Sequence, residues 1–462
     1  MKIRPVVPLP LKGQVLYAAG SAAFTMLERM ILLYMPFFYL PPGEYGLPGL
    51  IPDRTYLGVL TILGAALMTG RIFDGLADPL FASLSDNSRS PLGRRKLFLL
   101  LGGLPLALSA ALVFFPPFPG AESPYNGAWL TVLMVLFYLS FTAYVNPYLA
   151  LIPELGHSNA LRINLSTLVA LFGLIGMVLV TIGFPALAGW IGSTGFDLRT
   201  AYRISAVVVA ALAAILLYLA TTGFSEKRHC LPGETRPVGA WKSLSSTFAV
   251  RPFRIFLGGE IFLQFAMNLV TLGLIYYAVV IFRHDQEFII VLASITIGTA
   301  LACFPLVNIL ARRIGKKKVI LAGVASLAIC GLGIFIFSFR MEGFYYYLSL
   351  VMFALAGFPL AVLTILINPT IGDLARADYF KTGQRREAMF FGARAIPLKL
   401  SIALAGVVFA YLLSAFGRDL ASPLGVQLSA LVVSIAAACS YVFFRLYPEE
   451  QVMADLEEEG SR

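Results

Sequence analysis

The chain has 462 residues, of which 58% are hydrophobic and only 13% are charged. Soluble domains carry about 25% charged residues, so this composition excludes a disordered, collagen-like, disulfide-framed or ordinary soluble protein. It indicates a polytopic membrane protein. The net charge of +10 is typical of basic cytoplasmic loops that face anionic lipid, and we expect no nucleic-acid partner. The four cysteines are interpreted as free thiols.

Apolar runs long enough to cross a bilayer recur along the whole chain. A span needs about 20 mostly apolar residues, and lipid leaves the backbone no stable form except a helix or a closed barrel. Twelve segments qualify, at 14–40, 56–84, 97–115, 128–152, 163–190, 201–223, 253–281, 287–311, 318–338, 345–371, 387–414 and 424–446. The sequence therefore predicts an all-α membrane protein with 12 transmembrane helices.

Basic residues alternate between successive loops and give the orientation. They concentrate at 89–96, 225–254 and after spans eight and ten, whereas the opposite loops 41–55 and 116–127 carry at most one. By the positive-inside rule, both termini are cytoplasmic in a plasma membrane or bacterial inner membrane.

A polar linker with Pro232, Gly233 and Pro237 divides the spans six and six. Basic glycine turns at 85–96 and 311–318 follow the second span of each half. A duplicated transporter has this pattern, although two ordinary positive-inside loops give the same turns. The predicted domains are an N-terminal six-helix bundle over 1–224, a cytoplasmic linker over 225–252, a C-terminal six-helix bundle over 253–447 and an acidic cytoplasmic tail over 448–462.

Span two carries ionisable residues at helical spacing, namely Arg71, Asp74 and Asp78. The spacing of four places both carboxylates on one helical face, with Arg71 one turn away. A charge in the hydrocarbon costs a few kcal/mol or more, so each needs a partner or a function. Two acids facing one cavity suit a small hard cation or a proton. A structural ion pair with Arg71 or with a basic residue on a neighbouring helix is the alternative.

Span one carries Glu28 and Arg29 near its centre, one turn after Thr25. Adjacent residues point about 100° apart on a helix, so we expect Glu28 and Arg29 to serve different neighbours. A substrate contact and an interhelical brace remain open for this pair.

Spans seven and eleven also carry polar residues. Glu260, Gln264 and Asn268 form a stripe at successive steps of four, which predicts a face toward the bundle interior. Arg394 and Lys399 lie in span eleven. Lys399 is near the midplane, too deep for its charge to reach the interface readily, and the span-two aspartates are its candidate partners.

Nothing in the sequence indicates catalysis. The turn at 93–96 lacks the spacing of a phosphate-binding loop, and His157, His229 and His284 are isolated. A membrane enzyme or receptor on the same scaffold would need a catalytic cluster or a soluble domain. We therefore expect no enzyme and no cofactor.

The stretches 71–79 (Arg-Ile-Phe-Asp-Gly-Leu-Ala-Asp-Pro), 146–153 and 381–392, with Arg162 and Lys399, carry a family resemblance. The chain resembles the glycoside–pentoside–hexuronide:cation symporters of the major facilitator superfamily, which include melibiose permease. The sodium-coupled lysophospholipid carriers are more distantly similar. The resemblance covers essentially the whole chain.

The resemblance implies a major facilitator fold, with two pseudo-symmetric six-helix bundles and a site alternately open to each side. It implies that Asp74 and Asp78 bind the coupling Na⁺, Li⁺ or H⁺ and that Thr142 offers a hydroxyl ligand. Lys399 would sit beside that site as a charge partner together with Arg71, and Arg162 would brace the polar interior.

Three positions depart from the sugar-binding members. Thr25 and Val145 stand where those members have aspartates, and Ala77 stands where sodium-using members have an asparagine. Glu28 is hypothesised to take over the role of the acid in span one. The predicted substrate-binding candidates are Thr25, Glu28, Arg29, Tyr144, Asn146, Glu260, Gln264, Asn268 and Arg394.

The predicted function is secondary active transport: symport of a small solute, foremost a sugar or glycoside, with Na⁺ or H⁺ by a monomer in the lipid bilayer. A sodium-coupled carrier of lysophospholipids or other amphiphiles, or an uncoupled carrier, is the alternative.

Overall fold

The computed structural model describes residues 7–56, 58–156, 159–230, 247–382 and 387–453. They belong to two compact units, Met1–Arg236 and Pro237–Arg462, so the division falls inside the predicted linker. Parts of three sequence features lie outside the described residues: the linker at 231–246, the Lys-Thr-Gly motif at 383–386 and the acidic tail at 454–462. His157 also lies outside them.

The described part of the first unit contains six long helices. They are α1 Leu11–Tyr39, α2 Ile62–Asn87, α3 Lys96–Leu112, α4 Pro124–Leu155, α5 Asn159–Ser193 and α6 Leu198–Thr222. A short antiparallel hairpin, β1 Thr55–Tyr56 with β2 Leu60–Thr61, precedes α2. A four-residue helix, α7 Glu226–His229, follows α6.

The described part of the second unit has seven helices, of which two together form the tenth predicted span. They are α8 Arg251–Tyr276, α9 Ile289–Ile314, α10 Lys316–Phe337, α11 Phe344–Leu355, α12 Gly357–Thr382, α13 Glu387–Phe416 and α14 Leu424–Leu446. α8 continues into a π-helical turn, Tyr277–Ile281. The break between α11 and α12 falls at Ala356.

Each of the twelve predicted spans coincides with a helical segment. Among the described residues, ten segments are long and apolar enough to cross a membrane. The other two spans are α3, which is apolar but has 17 residues, and α2, which has 26 residues and carries the buried charges. Among the described residues, side-chain caps begin three long helices: Thr61, Ser123 and Asp197 accept hydrogen bonds from the backbone N–H groups of Gly64, Tyr125 and Thr200.

The two units repeat the same order of helix packing. In the first, α1 packs against α5 and α6, α3 against α6, and α2 against α4. In the second, α8 packs against α13 and α14, α10 against α14, and α9 against α12. Close approach needs small residues: a Cβ on Gly176 of α5 would lie 2.3 Å from the Ala22 carbonyl oxygen of α1. The repetition supports the duplication that the basic glycine turns indicate.

The glycine turns also repeat in detail. Gly93 and Gly315 have positive φ angles of 117° and 91°, so each turn needs a residue without Cβ. In the first unit, the Glu226 carboxylate accepts hydrogen bonds from the backbone N–H groups of Arg95 and Lys96, at 3.0 and 2.5 Å. In the second unit, Glu449 accepts from Lys317 N–H at 2.9 Å. A glutamate after the last long helix of each unit therefore caps its third helix.

Candidate cation and substrate site

Among the described residues, two side-chain hydrogen bonds join α2 to α4 one helical turn apart. Thr142 Oγ1 donates to Asp74 Oδ1 at 2.5 Å, and Asn146 Nδ2 donates to Asp78 Oδ1 at 2.9 Å. Because the spacing of four is the same on both helices, the two hydrogen bonds are parallel and lie one turn apart. We refer to these two hydrogen bonds as the rungs. Asp74 and Thr142 are each only 1% exposed. The structure therefore gathers the two aspartates and the hydroxyl of Thr142 that the sequence grouped as a cation site.

Arg71 links this cluster to α1. Its Nη2 lies 2.8 Å from Glu28 Oε1 and its Nη1 lies 3.5 Å from Asp74 Oδ2. The guanidinium carbon stands 4.3 Å from the centre of the Tyr138 ring, a cation–π distance. Arg71 is buried, so its charge needs these partners. The ion-pair alternative raised by the sequence is therefore present, but a single guanidinium faces more than one carboxylate.

The ligand chemistry at these rungs suits a hard monovalent cation. Carboxylate, hydroxyl and amide oxygens are the donors that such ions prefer. Thr142 can turn a lone pair toward an ion, and the amide of Asn146 carries an oxygen beside its nitrogen. Within the described part of the chain, no three His, Cys, Asp or Glu side chains gather as a metal-binding group. The residues present fit a site of carboxylates plus neutral oxygens.

The other candidates of the first unit are placed differently. Thr25 is partly buried and faces Gly173 of α5. The buried Nε of Arg29 has no hydrogen-bond partner among the described residues. Tyr144 is fully buried, and its hydroxyl donates to the Leu217 carbonyl of α6 at 2.9 Å, so it packs helices together. Arg162 is exposed near the start of α5. Its predicted bracing of the interior stays a prediction.

The second unit contains an ion pair of its own. Arg394 Nε donates to Glu260 Oε1 at 2.7 Å, and its Nη2 contacts the same oxygen. Arg394 Nη1 donates to Asn368 Oδ1 at 2.7 Å. Glu260 is 1% exposed and Arg394 18%. Three helices, α8, α12 and α13, thus meet at one guanidinium.

The other two residues of the predicted polar stripe, Gln264 and Asn268, follow Glu260 on α8 at steps of four. Asn268 donates to the Gln264 carbonyl oxygen of its own helix at 2.8 Å. Gln264 and Lys399 are partly buried, and Lys399 follows Arg394 by five residues on α13.

Sequence reasoning missed two residues of these clusters. Tyr138 lies four residues before Thr142 and therefore on the same face of α4, a spacing that would have identified it. Asn368 is a carboxamide inside an apolar helix, which was the available signal. The sequence also contained Glu260 and Arg394 without indicating that they pair, because the two lie 134 residues apart.

Two units of transmembrane helices with the same packing order, each with ionisable side chains buried deep in the bundle, define a membrane transporter. A family model described as MFS/sugar transport protein matches residues 16–444. The chain belongs to this family of major facilitator transporters and is an integral membrane protein, not an enzyme. The family resemblance predicted from the sequence motifs is confirmed.

Known relatives match most of the chain at low identity. The inner membrane symporter YicJ of Escherichia coli is 24% identical over 421 residues, which cover 89% of this chain and 84% of that protein. The uncharacterized symporter YnaJ of Bacillus subtilis is 25% identical over 406 residues, 87% and 82% of the two chains. The lactose permease of Lactobacillus helveticus is 24% identical over 412 residues, 87% of this chain and 62% of that one.

Solved structures agree on the fold. The nucleoside transporter NupG gives a TM-score of 0.64 at 12% identity, covering 96% of this chain and all of that chain (100%). A bacterial homologue of the human lysosomal transporter Spinster gives 0.62 at 12% identity, with 96% and 97% covered. The predicted all-α major facilitator fold is confirmed.

Proposed function

We propose that this transporter is a symporter that couples the movement of Na⁺, or H⁺ in its place, to the uptake of a small hydroxylated solute of the sugar or glycoside class. The observation that carries the proposal is the pair of rungs between α2 and α4, Thr142 to Asp74 and Asn146 to Asp78. Relatives named symporter and permease support it.

The cation binds between the carboxylates of Asp74 and Asp78, with the Thr142 hydroxyl as a neutral ligand. Before it arrives, Arg71 offsets part of their charge. Binding of the ion relieves the repulsion between the two acids. If the bound ion raises the affinity for the solute by some factor, the bound solute raises the affinity for the ion by the same factor.

Each unit by itself offers candidate groups for the solute. In the first unit, Glu28 supplies a hydrogen-bond acceptor and Arg29 supplies donors. In the second unit, the candidates are Arg394, Glu260, Gln264 and Asn268. Transport proceeds by alternating access in a bacterial inner membrane or plasma membrane, by a monomer with both termini in the cytoplasm.

Direct binding of ²²Na⁺ to the purified protein tests the cation site. We expect saturable binding by the wild type and at least tenfold weaker binding by Asp78→Asn, because a charged ligand is lost. Asp197→Asn is the matched control, since Asp197 caps α6 outside the cluster. Equal binding by all three proteins contradicts the site. Binding only of protons, seen as pH-dependent stabilisation, makes H⁺ the coupling ion, and the absence of both supports an uncoupled carrier.

A further inference from the structure

Two arginines lie one helical turn apart near the start of α6, namely Arg199 and Arg203. Arg199 is buried, and its guanidinium donates to the carbonyl oxygens of Pro119, at 2.5 Å, and of Pro48. Asp197, which caps α6, is the nearest acid along the chain. Within the described part of the chain, neither arginine forms an ion pair with a carboxylate. This end of the first unit therefore carries positive charge without a protein counter-ion in contact.

Arg203 uses only part of its guanidinium on the protein. Its Nε donates to the Phe114 carbonyl oxygen at 3.1 Å, two residues beyond the end of α3. The guanidinium carbon stands 5.7 Å from the centre of the Phe115 ring. The Nη1 and Nη2 groups carry four more N–H donors, and no described residue accepts a hydrogen bond from them. A guanidinium fixed in this way has paired donors that match two oxygens of a phosphate.

The depth of Arg203 makes a ligand for these donors necessary. Arg203 follows the start of α6 by five residues, which is about 8 Å along the axis at 1.5 Å per residue. Its side chain is partly buried. Hydrocarbon chains would leave the donors unsatisfied and the charge unsolvated. The polar layer that a long side chain reaches from this depth is the layer of lipid head groups.

The surface that leads from Arg203 toward the middle of the membrane is apolar. On α6, Val207 and Ala211 continue the face of Arg203 at steps of four, and on α3, Leu108 and Leu112 lie one turn apart. All four residues are exposed, and the two helices pack against each other. In a bilayer such residues contact acyl chains. The seam between α3 and α6 therefore presents a cation at one end and an apolar track beyond it.

We propose that this seam is a binding site for a phospholipid. Arg203 holds the phosphodiester group through Nη1 and Nη2, and the apolar faces of α3 and α6 hold the chains. Arg199 adds positive charge one turn earlier, and basic groups between transmembrane helices are known to bind lipid head groups. Because Arg203 also bonds the carbonyl oxygen of Phe114, the bound phosphate joins the start of α6 to the end of α3. The lipid is a stabilising ligand and not the transported solute.

Ligands that share either the chains or the phosphate test the site. Thermal stability of the delipidated protein in a neutral detergent is measured with dioleoyl phosphatidylglycerol, with dioleoylglycerol and with inorganic phosphate. We expect phosphatidylglycerol to raise the melting temperature at least twice as far as either of the others, because the site needs both the phosphate and the chains. An equal shift with dioleoylglycerol or with inorganic phosphate, or no shift with phosphatidylglycerol, overturns the proposal.

Variants then locate the lipid. Arg203→Gln removes the charge and keeps a donor for the Phe114 carbonyl, and we expect its affinity for phosphatidylglycerol to fall at least tenfold, the effect of losing a charged hydrogen bond. Arg203→Lys keeps the charge without the paired donors, so its affinity should lie between the two. Arg340→Gln, at an exposed arginine beyond the end of α10, removes the same charge and is the control. Affinity in Arg203→Gln equal to that of the control overturns the role of Arg203.

Native mass spectrometry gives a second readout that does not depend on the basal stability of a variant. We expect the wild type and Arg340→Gln to retain one phosphatidylglycerol at a collision energy that strips it from Arg203→Gln. Equal retention by all three proteins overturns the proposal. Stabilisation by sodium is measured on the same samples and should be unchanged in Arg203→Gln, because Arg203 lies outside the cation rungs. Failure of the lipid site therefore leaves the proposed function standing, and a missing sodium response leaves the lipid site standing.

Discussion

Thr142 Oγ1 and Asp74 Oδ1 lie 2.5 Å apart in the buried interface of α2 and α4. A hydroxyl that donates to a carboxylate must rotate before its oxygen can face a cation. In the proposed cation site, this is the contact that we expect to exchange when an ion enters. It joins the two helices that carry all four side chains of the rungs. We therefore expect the affinity for the ion to depend on it.

Removing the hydroxyl of Thr142 should weaken cation binding without removing a charge. We expect Thr142→Val to lower the affinity for Na⁺ about tenfold and Thr142→Ser to restore most of it, because a hydrogen bond to a charged group is worth about 1.5–3 kcal/mol. Isothermal titration with NaCl measures the affinity. Thr131→Val on the same helix is the control, since Thr131 donates only to the Gly127 carbonyl. Equal affinity in both valine variants would contradict the assignment.

Asn146 is expected to influence which ion binds. Asn146→Asp adds a third carboxylate beside Asp78, and the repulsion among acids favours a divalent cation or a proton over Na⁺. We expect stabilisation by Na⁺ to shrink and stabilisation by Ca²⁺ to appear in melting experiments. Asn146→Ala keeps the charge count, so it should weaken Na⁺ binding without producing a response to Ca²⁺. An unchanged ion preference in Asn146→Asp rules out a place for this residue in the site.

The ion pair between Glu28 and Arg71 should be required for transport. Glu28→Gln keeps the shape of the side chain but removes its charge. Of the two carboxylates that pair with Arg71, the variant then retains that of Asp74. We expect uptake of the transported solute to fall at least tenfold while the protein still inserts and folds. Glu28→Asp should retain partial activity. Wild-type uptake by Glu28→Gln would restrict this pair to a bracing role.

The glutamate caps of the third helices should contribute to stability in the same way. Glu226→Ala removes the acceptor from two backbone N–H groups of α3, and Glu449→Ala removes it from one group of α10. We expect each to destabilise the protein by about 1–2 kcal/mol, as loss of an N-terminal cap does, with Glu226→Ala the larger. Glu122→Ala, at an exposed position, should leave the melting temperature unchanged.

Cys230 should react slowly with thiol reagents. Burial, together with the nearby acids Glu154 and Glu226, raises the pKa of its thiol to about 12. An unperturbed thiol has a pKa of about 8.5, so at neutral pH the reactive thiolate of Cys230 is roughly a thousandfold scarcer. In a variant with Cys230 as its single cysteine, the maleimide reaction rate should rise tenfold per pH unit up to pH 10.

An exposed cysteine in the same background serves as the comparison. Thr222→Cys in a chain without the native cysteines should react about a thousandfold faster near pH 7.5 and level off above pH 9. A plateau of the Cys230 rate below pH 9 would contradict its buried environment.

The sequence predicted the fold well because membrane spans depend on long apolar runs and on loop charges, which are local properties. Asp74 and Asp78 were found by their spacing on one helix. The partners of Glu28 and Glu260 were not, because Arg71 and Arg394 lie 43 and 134 residues away and only packing brings them together. Tyr144 illustrates the opposite case: its position in α4 suggested a substrate contact, and its hydroxyl instead bonds α6.

Thermal stability in choline, sodium and lithium chloride tests the central claim most directly. A ligand that binds only the folded protein stabilises it by about 2.7 kcal/mol at a hundredfold excess over its Kd. We predict that Na⁺ raises the melting temperature of the wild type and of Asp197→Asn, but not that of Asp74→Asn. Equal melting temperatures of the wild type in choline and sodium, or an undiminished shift in Asp74→Asn, would contradict a sodium site at the aspartates of α2.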